Sequence, residues 1–400
     1  MAKRREFFMA WRLLKVEEQR KKFVEAYWKG TDSMSELCRQ FGISRKTAYK
    51  WCNRYKILGE EGLKDRPKIP LNRHILYPAE IIEMALELKF KKRTWGPKKI
   101  IATLRRNHPR IEWPSATRLY EVFKANGLII PKRLRGRVPE THPLGECNKS
   151  NDVWMADHKG WFTTGDNTKC EPLTITDGFS RFLIKCVHVN SKSCGYTWPI
   201  FAEAFKEYGL PNRIRTDNGV PFGSVGVGRL TELSVNLIKA GVIPEWINPG
   251  HPEENGRHER FHWTLQQCTA DPPAYSLEEQ IMRMLAFQEE YNYERPHEAL
   301  GMDPPSKHYC KSSKKWDGAL RSPEYDTKEM FVRKVGQNGC IWIKQTEHYI
   351  SHTLAGEYVG IKETEEGLKV NYGPVYLGIL TEGNRRLETP KLKRRVNVEK

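Results

Sequence analysis

The chain has 400 residues, with 67 Lys and Arg against 49 Asp and Glu, a formal charge of +18. Hydrophobic residues make up 38% and aromatics 11%, enough for several packed cores, which excludes both a wholly disordered chain and a single small domain. No apolar run nears the roughly 18 residues of a membrane span, and nine cysteines without a C-x-x-C pair read as reduced thiols of a cytoplasmic, nucleoid-associated protein, not as disulfides or a zinc site.

The charge is unevenly placed. Residues 1–150 hold 35 Lys/Arg and 16 Asp/Glu, a net of +19, and the remainder is nearly neutral. A domain so basic points to a polyanion, a nucleic acid or, on charge alone, an acidic membrane. Within it, apolar residues at 16, 23, 24 and 27 give a helical stripe over 16–30. Thr31, Asp32 and Ser33 are a cluster of N-cap residues before a short helix over 34–40, Gly42 turns the chain, and Ser44 caps a basic helix over 45–55. Helix, glycine turn and capped basic helix form a helix-turn-helix pattern over 1–63, with Arg45, Lys46, Lys50 and Asn53 facing DNA.

After a Lys/Pro-rich linker at 64–77, helices are expected over 78–90, 98–106 and 116–126, the last stopped by Gly127. This is a second, winged-helix-like unit over 78–131, with residues 127–131 able to begin a wing. Its candidate DNA contacts are Lys92, Arg93, Lys98, Lys99 and Arg118. The segment 132–149 is a basic linker, with Arg133, Arg135 and Arg137 as a candidate minor-groove arm.

From about 150 the composition shifts. Strands are expected over 153–161, 173–176 and 182–189, then a helix over 194–208, a strand over 212–217, a helix over 230–240, a strand over 243–247 and a helix over 255–268. That order describes an α/β core of RNase H-like type over 150–310. Asp157 falls inside the first strand, where a carboxylate is costly unless a cation offsets it. Asp217 ends the fourth strand, and Glu259 lies in the last helix. Three carboxylates around one point make a hard oxygen site for Mg²⁺, and two such ions suit phosphoryl transfer. Glu253 and Glu254 precede the same helix, where its dipole alone favours acids.

Motifs in this stretch carry a resemblance. Trp154 to Asp157, Asp177-Gly-Phe-Ser-Arg181, Thr216-Asp217-Asn218-Gly219, His251 to His262 with its G-x-x-E-R, and Tyr291-Asn292-…-Arg295-Pro296-His297 stand in order. Together they resemble the integrase catalytic core of DDE-type bacterial insertion-sequence transposases, of the retroviral integrase superfamily. Residues 94–106 resemble the second helix-turn-helix of the same proteins. The resemblance spans roughly 15–310. It implies Asp157, Asp217 and Glu259 as catalytic residues and metal ligands, Mg²⁺ with Mn²⁺ able to substitute, two ions, and Arg260 as a DNA contact. It also implies terminal inverted repeats and target DNA as partners, and a homo-oligomer, at least a dimer on DNA, with no membrane. One departure is the spacing: 41 residues separate Asp217 from Glu259, where the family often has about 35. The extra length is assigned to a glycine-rich loop at 223–228.

A linker is expected over 311–327. Short strands are then expected over 331–335, 340–344, 349–354, 357–361, 368–372 and 375–380, forming a small all-β barrel over 328–385 with a basic tail over 386–400. Two other functions compete. A tyrosine recombinase would need an H-x-x-R, and none of the 12 histidines begins one. A catalytically inactive DNA-binding regulator derived from a transposase keeps the fold without needing the three acids.

Overall fold

The computed structural model describes residues 15–65, 77–129, 146–249, 251–381 and 383–389. The chain divides into two units, one up to Leu76 and one from Tyr77 onward.

The first unit is α1 (Val16–Lys29), α2 (Met34–Phe41) and α3 (Arg45–Leu58). Ser33 accepts a hydrogen bond from the Glu36 amide and Ser44 one from the Thr47 amide, so both expected caps are made. Gly42 closes α2 at φ 62°, a conformation open to glycine at little cost. Phe23, Val24, Leu37, Ala48, Trp51 and Cys52 form the core. Arg20 and Arg54 lie over the Trp51 ring, 3.9 and 4.7 Å from its centroid.

The second unit opens with α4 (Ala79–Lys91), α5 (Pro97–Asn107) and α6 (Ala116–Ala125) around Trp95, Ile100, Leu104, Trp113 and Phe123. Lys89 is buried and donates to the carbonyls of Arg93 and Trp95, which closes the α4–α5 turn. Residues 127–129 form no strand, and the rest of the expected wing lies outside the described residues.

The next layer is a five-stranded mixed sheet of β1 (Val153–His158), β4 (Pro172–Asp177), β5 (Leu183–His188), β6 (Arg213–Thr216) and β7 (Ile243–Trp246). Its order is β5-β4-β1-β6-β7, antiparallel on the β5 side and parallel on the β7 side. Between β1 and β4 a small hairpin, β2 (Phe162–Thr163) with β3 (Lys169–Cys170), stands where only a turn was expected, so β1 ends at His158. Helices α7 (Cys194–Tyr208) and α8 (Glu232–Lys239) enclose a core of Trp154, Ile175, Phe201, Phe205 and Leu233. α9 (Gly256–Thr269) and α10 (Leu277–Glu289) pack on the other face through Phe261, Leu265, Met284 and Phe287.

α10 was not anticipated, and it explains the Tyr291-Asn292 motif. Asn292 accepts from the Leu183 amide and donates to the Leu183 carbonyl, while Gln288 donates to the carbonyls of Leu183 and Ile184. Edge strand β5 thus has backbone groups covered by two side chains instead of another strand. Residues 311–327 also differ from expectation. They lie on the core: Trp316 packs on Trp198 and Phe205, and the Lys314 carbonyl accepts from the Leu210 amide.

The C-terminal part is not a closed barrel. β8 (Phe331–Lys334), β11 (Tyr358–Thr364), β12 (Gly367–Tyr372) and β13 (Val375–Leu380) form one sheet in the order β13-β12-β11-β8. β9 (Cys340–Ile343) and β10 (Thr346–Tyr349) form a separate hairpin. The expected strand at 349–354 is instead the end of β10 and a 3₁₀ turn, His352–Leu354. Closure fails because β13 and β8 remain edges of the sheet; Ile379 of β13 makes its outer bridge to Glu388. The two sheets share a core with Leu230, Val235 and Ile238, so they sit against α8 and the loop before it. Lys239 pairs with Glu357 at 2.7 Å across this seam.

The 223–228 loop therefore has a structural use. Gly228 lies at φ 61°, and a Cβ there would meet Leu377 at 2.7 Å and Val375 at 3.2 Å. Gly228→Ala is expected to lower stability by about 1–3 kcal/mol through strain and contact together. Chemical denaturation measures it, and an unchanged midpoint would remove this glycine from the seam.

Candidate active site and DNA-facing residues

Asp157 and Asp217 meet because of strand register. β1 and β6 run parallel with Met155 level with Arg215. Two residues further along each chain stand the two acids, on the same face and at the carboxyl ends of adjacent strands, about 4.7–4.9 Å apart in backbone spacing. In open α/β sheets such ends are where ligands collect.

Asp157 is held on several sides. Asn255, at the start of α9, donates its Nδ2 to Asp157 Oδ2 at 3.0 Å. His262 Nδ1 stands 3.9 Å from the same oxygen. Burial, then the charge of Asp217, pushes the Asp157 carboxyl up to about 7. Among the described residues no Lys or Arg forms an ion pair with Asp157. Burial also lowers the neighbouring imidazoles, His258 to about 3 and His158 to about 4, so these rings are neutral near pH 7.

Glu259 occupies the first turn of α9 and is exposed. It follows Asn255 by four residues and precedes His262 by three, so it shares the helix face that those two turn to Asp157. Glu254 has a different part. It is 5% exposed, and its carboxylate accepts from the Asn248 amide at 2.7 Å and from Asn248 Nδ2 at 2.8 Å. It shapes the turn leading into α9, a contribution that its place before the helix did not reveal.

The tightest group of potential metal donors among the described residues is Asp157, His258 and His262, with ligand atoms within 4.8 Å of one another. The two histidines were not singled out from sequence. Their signal was spacing: positions 258 and 262 are one helical turn apart, facing the strand that carries Asp157. A buried carboxylate beside a second acid, without a basic partner, is a donor set that fits a divalent cation.

The candidate DNA contacts divide by environment. Arg45, Lys46, Lys50 and Asn53 are all exposed on α3, with Arg45 also hydrogen-bonded to Ser35. Arg93, Arg118 and Arg260 are exposed. Arg133, Arg135 and Arg137 lie outside the described residues. Lys98 pairs loosely with Glu298 at 3.7 Å and, with Arg105, Arg106 and Lys307, lines a groove of about 580 Å³ between the second helical unit and residues 301–307. Lys99 is half-buried. Lys92 differs from the rest: it is 19% exposed and sits between Glu290 at 2.9 Å and Glu294 at 2.7 Å, so its charge is engaged within the protein.

A helix-turn-helix domain family matches residues 19–70, and an integrase core domain family matches residues 240–305. An uncharacterized 31.7 kDa protein of insertion element IS407 from Burkholderia multivorans is 26% identical over 235 residues, covering 56% of this chain and 79% of that protein. The transposase for transposon Tn552 of Staphylococcus aureus is 24% identical over 305 residues, 63% of this chain and 56% of its own. Among solved structures, the integrase catalytic core of HTLV-2 in complex with magnesium is 18% identical, covering 40% of this chain and 98% of its own at a TM-score of 0.32. No helix among the described residues is long and apolar enough to cross a membrane.

The two lysines on either side of this division are expected to behave differently. Lys92→Ala lowers stability by about 1 kcal/mol and leaves DNA affinity unchanged. Lys50→Ala weakens DNA binding and reduces its salt dependence, with log K losing about 0.9 per phosphate contact against log salt. Binding titrations at several salt concentrations, with thermal melts, measure both. An affinity loss for Lys92→Ala equal to that of Lys50→Ala would return Lys92 to the DNA face.

Proposed function

We propose that this chain, a DDE-type insertion-sequence transposase and so a polynucleotidyl transferase, binds its element's terminal inverted repeats, nicks DNA with water, and joins the freed 3′-OH ends to target DNA. The observation that carries this reading is the pairing of Asp157 and Asp217 at the ends of adjacent strands, with Asp157 largely buried and, among the described residues, in no ion pair with a Lys or Arg. Asp157, Asp217 and Glu259 would hold divalent cations, Mg²⁺ by preference and two in number. Bound there, the cations would lower the cost of the charges that develop on the attacking and leaving oxygens.

The chain's own residues do the rest. Asn255 fixes one Asp157 oxygen, so the carboxylate keeps a single orientation. Glu254 holds the turn that sets where α9 begins, and hence where Glu259 stands. The helical rigidity at Glu259 positions a ligand better than the preceding turn would. The basic face of α3 supplies base-edge and phosphate contacts to the element end, with Lys50 and Asn53 as the candidate readers. The groove beside Lys98, Arg105 and Arg106 lies between the second helical unit and the catalytic layer, a fitting course for a phosphate backbone. Two reactions on two DNAs call for more than one copy, so the working form is a homo-oligomer, at least a dimer, on DNA.

Asp157→Asn, Asp217→Asn and Glu259→Gln are each expected to lose nicking and strand transfer by roughly 100-fold or more, since removal of a ligand charge removes the bound cation. End binding stays intact in all three. A supercoiled plasmid carrying an element end, incubated with Mg²⁺, reads the nicking, and a gel shift reads the binding. Wild-type protein that binds the end and never nicks it would instead support a DNA-binding regulator without catalysis.

A further inference from the structure

We infer that His262 is a nitrogen ligand to the cation held by Asp157, binding through Nδ1. The inference rests on the metal-site reading above and adds a fourth side chain to it. It follows from counting the hydrogen bonds of one hydroxyl.

Thr174, on β4 opposite Asp157, places its Oγ1 2.7 Å from His258 Nε2, 2.8 Å from His262 Nε2 and 3.1 Å from the Asp157 carbonyl oxygen. A hydroxyl has one proton to give and two lone pairs to offer. The carbonyl can only accept, so it takes the Thr174 proton. Both lone pairs then accept, and each imidazole must donate from Nε2–H. With the Nε2 proton of each ring committed to Thr174, the neutral tautomer leaves a bare lone pair on Nδ1. This tautomer is assigned by the network.

The two lone pairs meet different surroundings. His258 is 1% exposed, and its Nδ1 has no hydrogen-bond partner. His262 Nδ1 faces Asp157 Oδ2 at 3.9 Å. Two acceptors facing each other with no proton between them repel, unless a cation lies between. The separation is about 1 Å wider than the roughly 2.9 Å between neighbouring ligands of an octahedral ion with bonds of about 2.0–2.1 Å, so binding draws the ring and the carboxylate together by about that much. The outer contact is also the one a ligating histidine needs: its far nitrogen donates to a fixed acceptor, which sets the ring and the tautomer. An imidazole beside the carboxylates raises the affinity for Mn²⁺ more than that for Mg²⁺, because nitrogen donors suit the later metal better, so Mn²⁺ substitutes readily for Mg²⁺.

The test is electron spin-echo envelope modulation of Mn²⁺ bound to the full chain, which reads nitrogen coupling to the metal without any turnover. The wild type is expected to show a ¹⁴N coupling that changes on ¹⁵N-histidine labelling. His262→Gln, whose amide can still donate to Thr174, is expected to lose the coupling and to bind Mn²⁺ about 10-fold more weakly, with Mg²⁺ affinity changed far less. A wild-type spectrum with Mn²⁺ bound, lost in Asp157→Asn, yet without nitrogen coupling would overturn the assignment of His262 and leave the carboxylate site standing. If Asp157→Asn binds Mn²⁺ as well as the wild type, the carboxylate site itself falls. The labelling measurement needs no variant, so a His262→Gln protein that fails to fold does not shelter the inference.

Discussion

A carboxylate placed inside the first strand of a buried sheet is the constraint around which this molecule is arranged. Removed from water, Asp157 disfavours its own charge, and Asp217 beside it adds repulsion. Among the described residues no Lys or Arg forms an ion pair with it, and the charge of Lys192 opposes the shift only weakly. The surroundings instead restrict geometry: an amide donor on one oxygen, an imidazole facing it, and a threonine that fixes the imidazole in turn. An arrangement that keeps a costly group and orients it from several sides is built to receive something positively charged.

Much of this was legible in the residue order. The two capping serines, the turn glycine and the basic third helix could be placed because each acts within three or four residues of itself. Asp157 and Asp217 could be placed because strands and their ends follow from alternation and turn chemistry. What stayed hidden depended on contacts across long sequence separations. Thr174 joins His258 and His262 across 84 and 88 residues. Asn292 reaches Leu183 across 109. Lys92 looked like one more cation in a basic domain, and only its meeting with Glu290 and Glu294 shows that it is already neutralised. The C-terminal strands read correctly as short and turn-rich, but strand count cannot tell a closed barrel from two sheets that share a core.

The two basic helical units are therefore not equivalent. The first has its own core and an exposed cationic helix. The second is tied to the catalytic layer by Lys92, Lys98 and Arg106, and its free surface is correspondingly smaller.

The longer interval between Asp217 and Glu259 acquires a meaning from where it folds. Its surplus residues form the seat on which Leu377 and Val375 rest, while Asn218, next to the second acid, accepts from Arg229 at the far side of the same loop. Shortening the loop would take away this seat and leave the tail sheets on α8 through Val235, Ile238 and the Lys239–Glu357 pair alone, so the spacing of the acids and the docking of the C-terminal sheets share one segment.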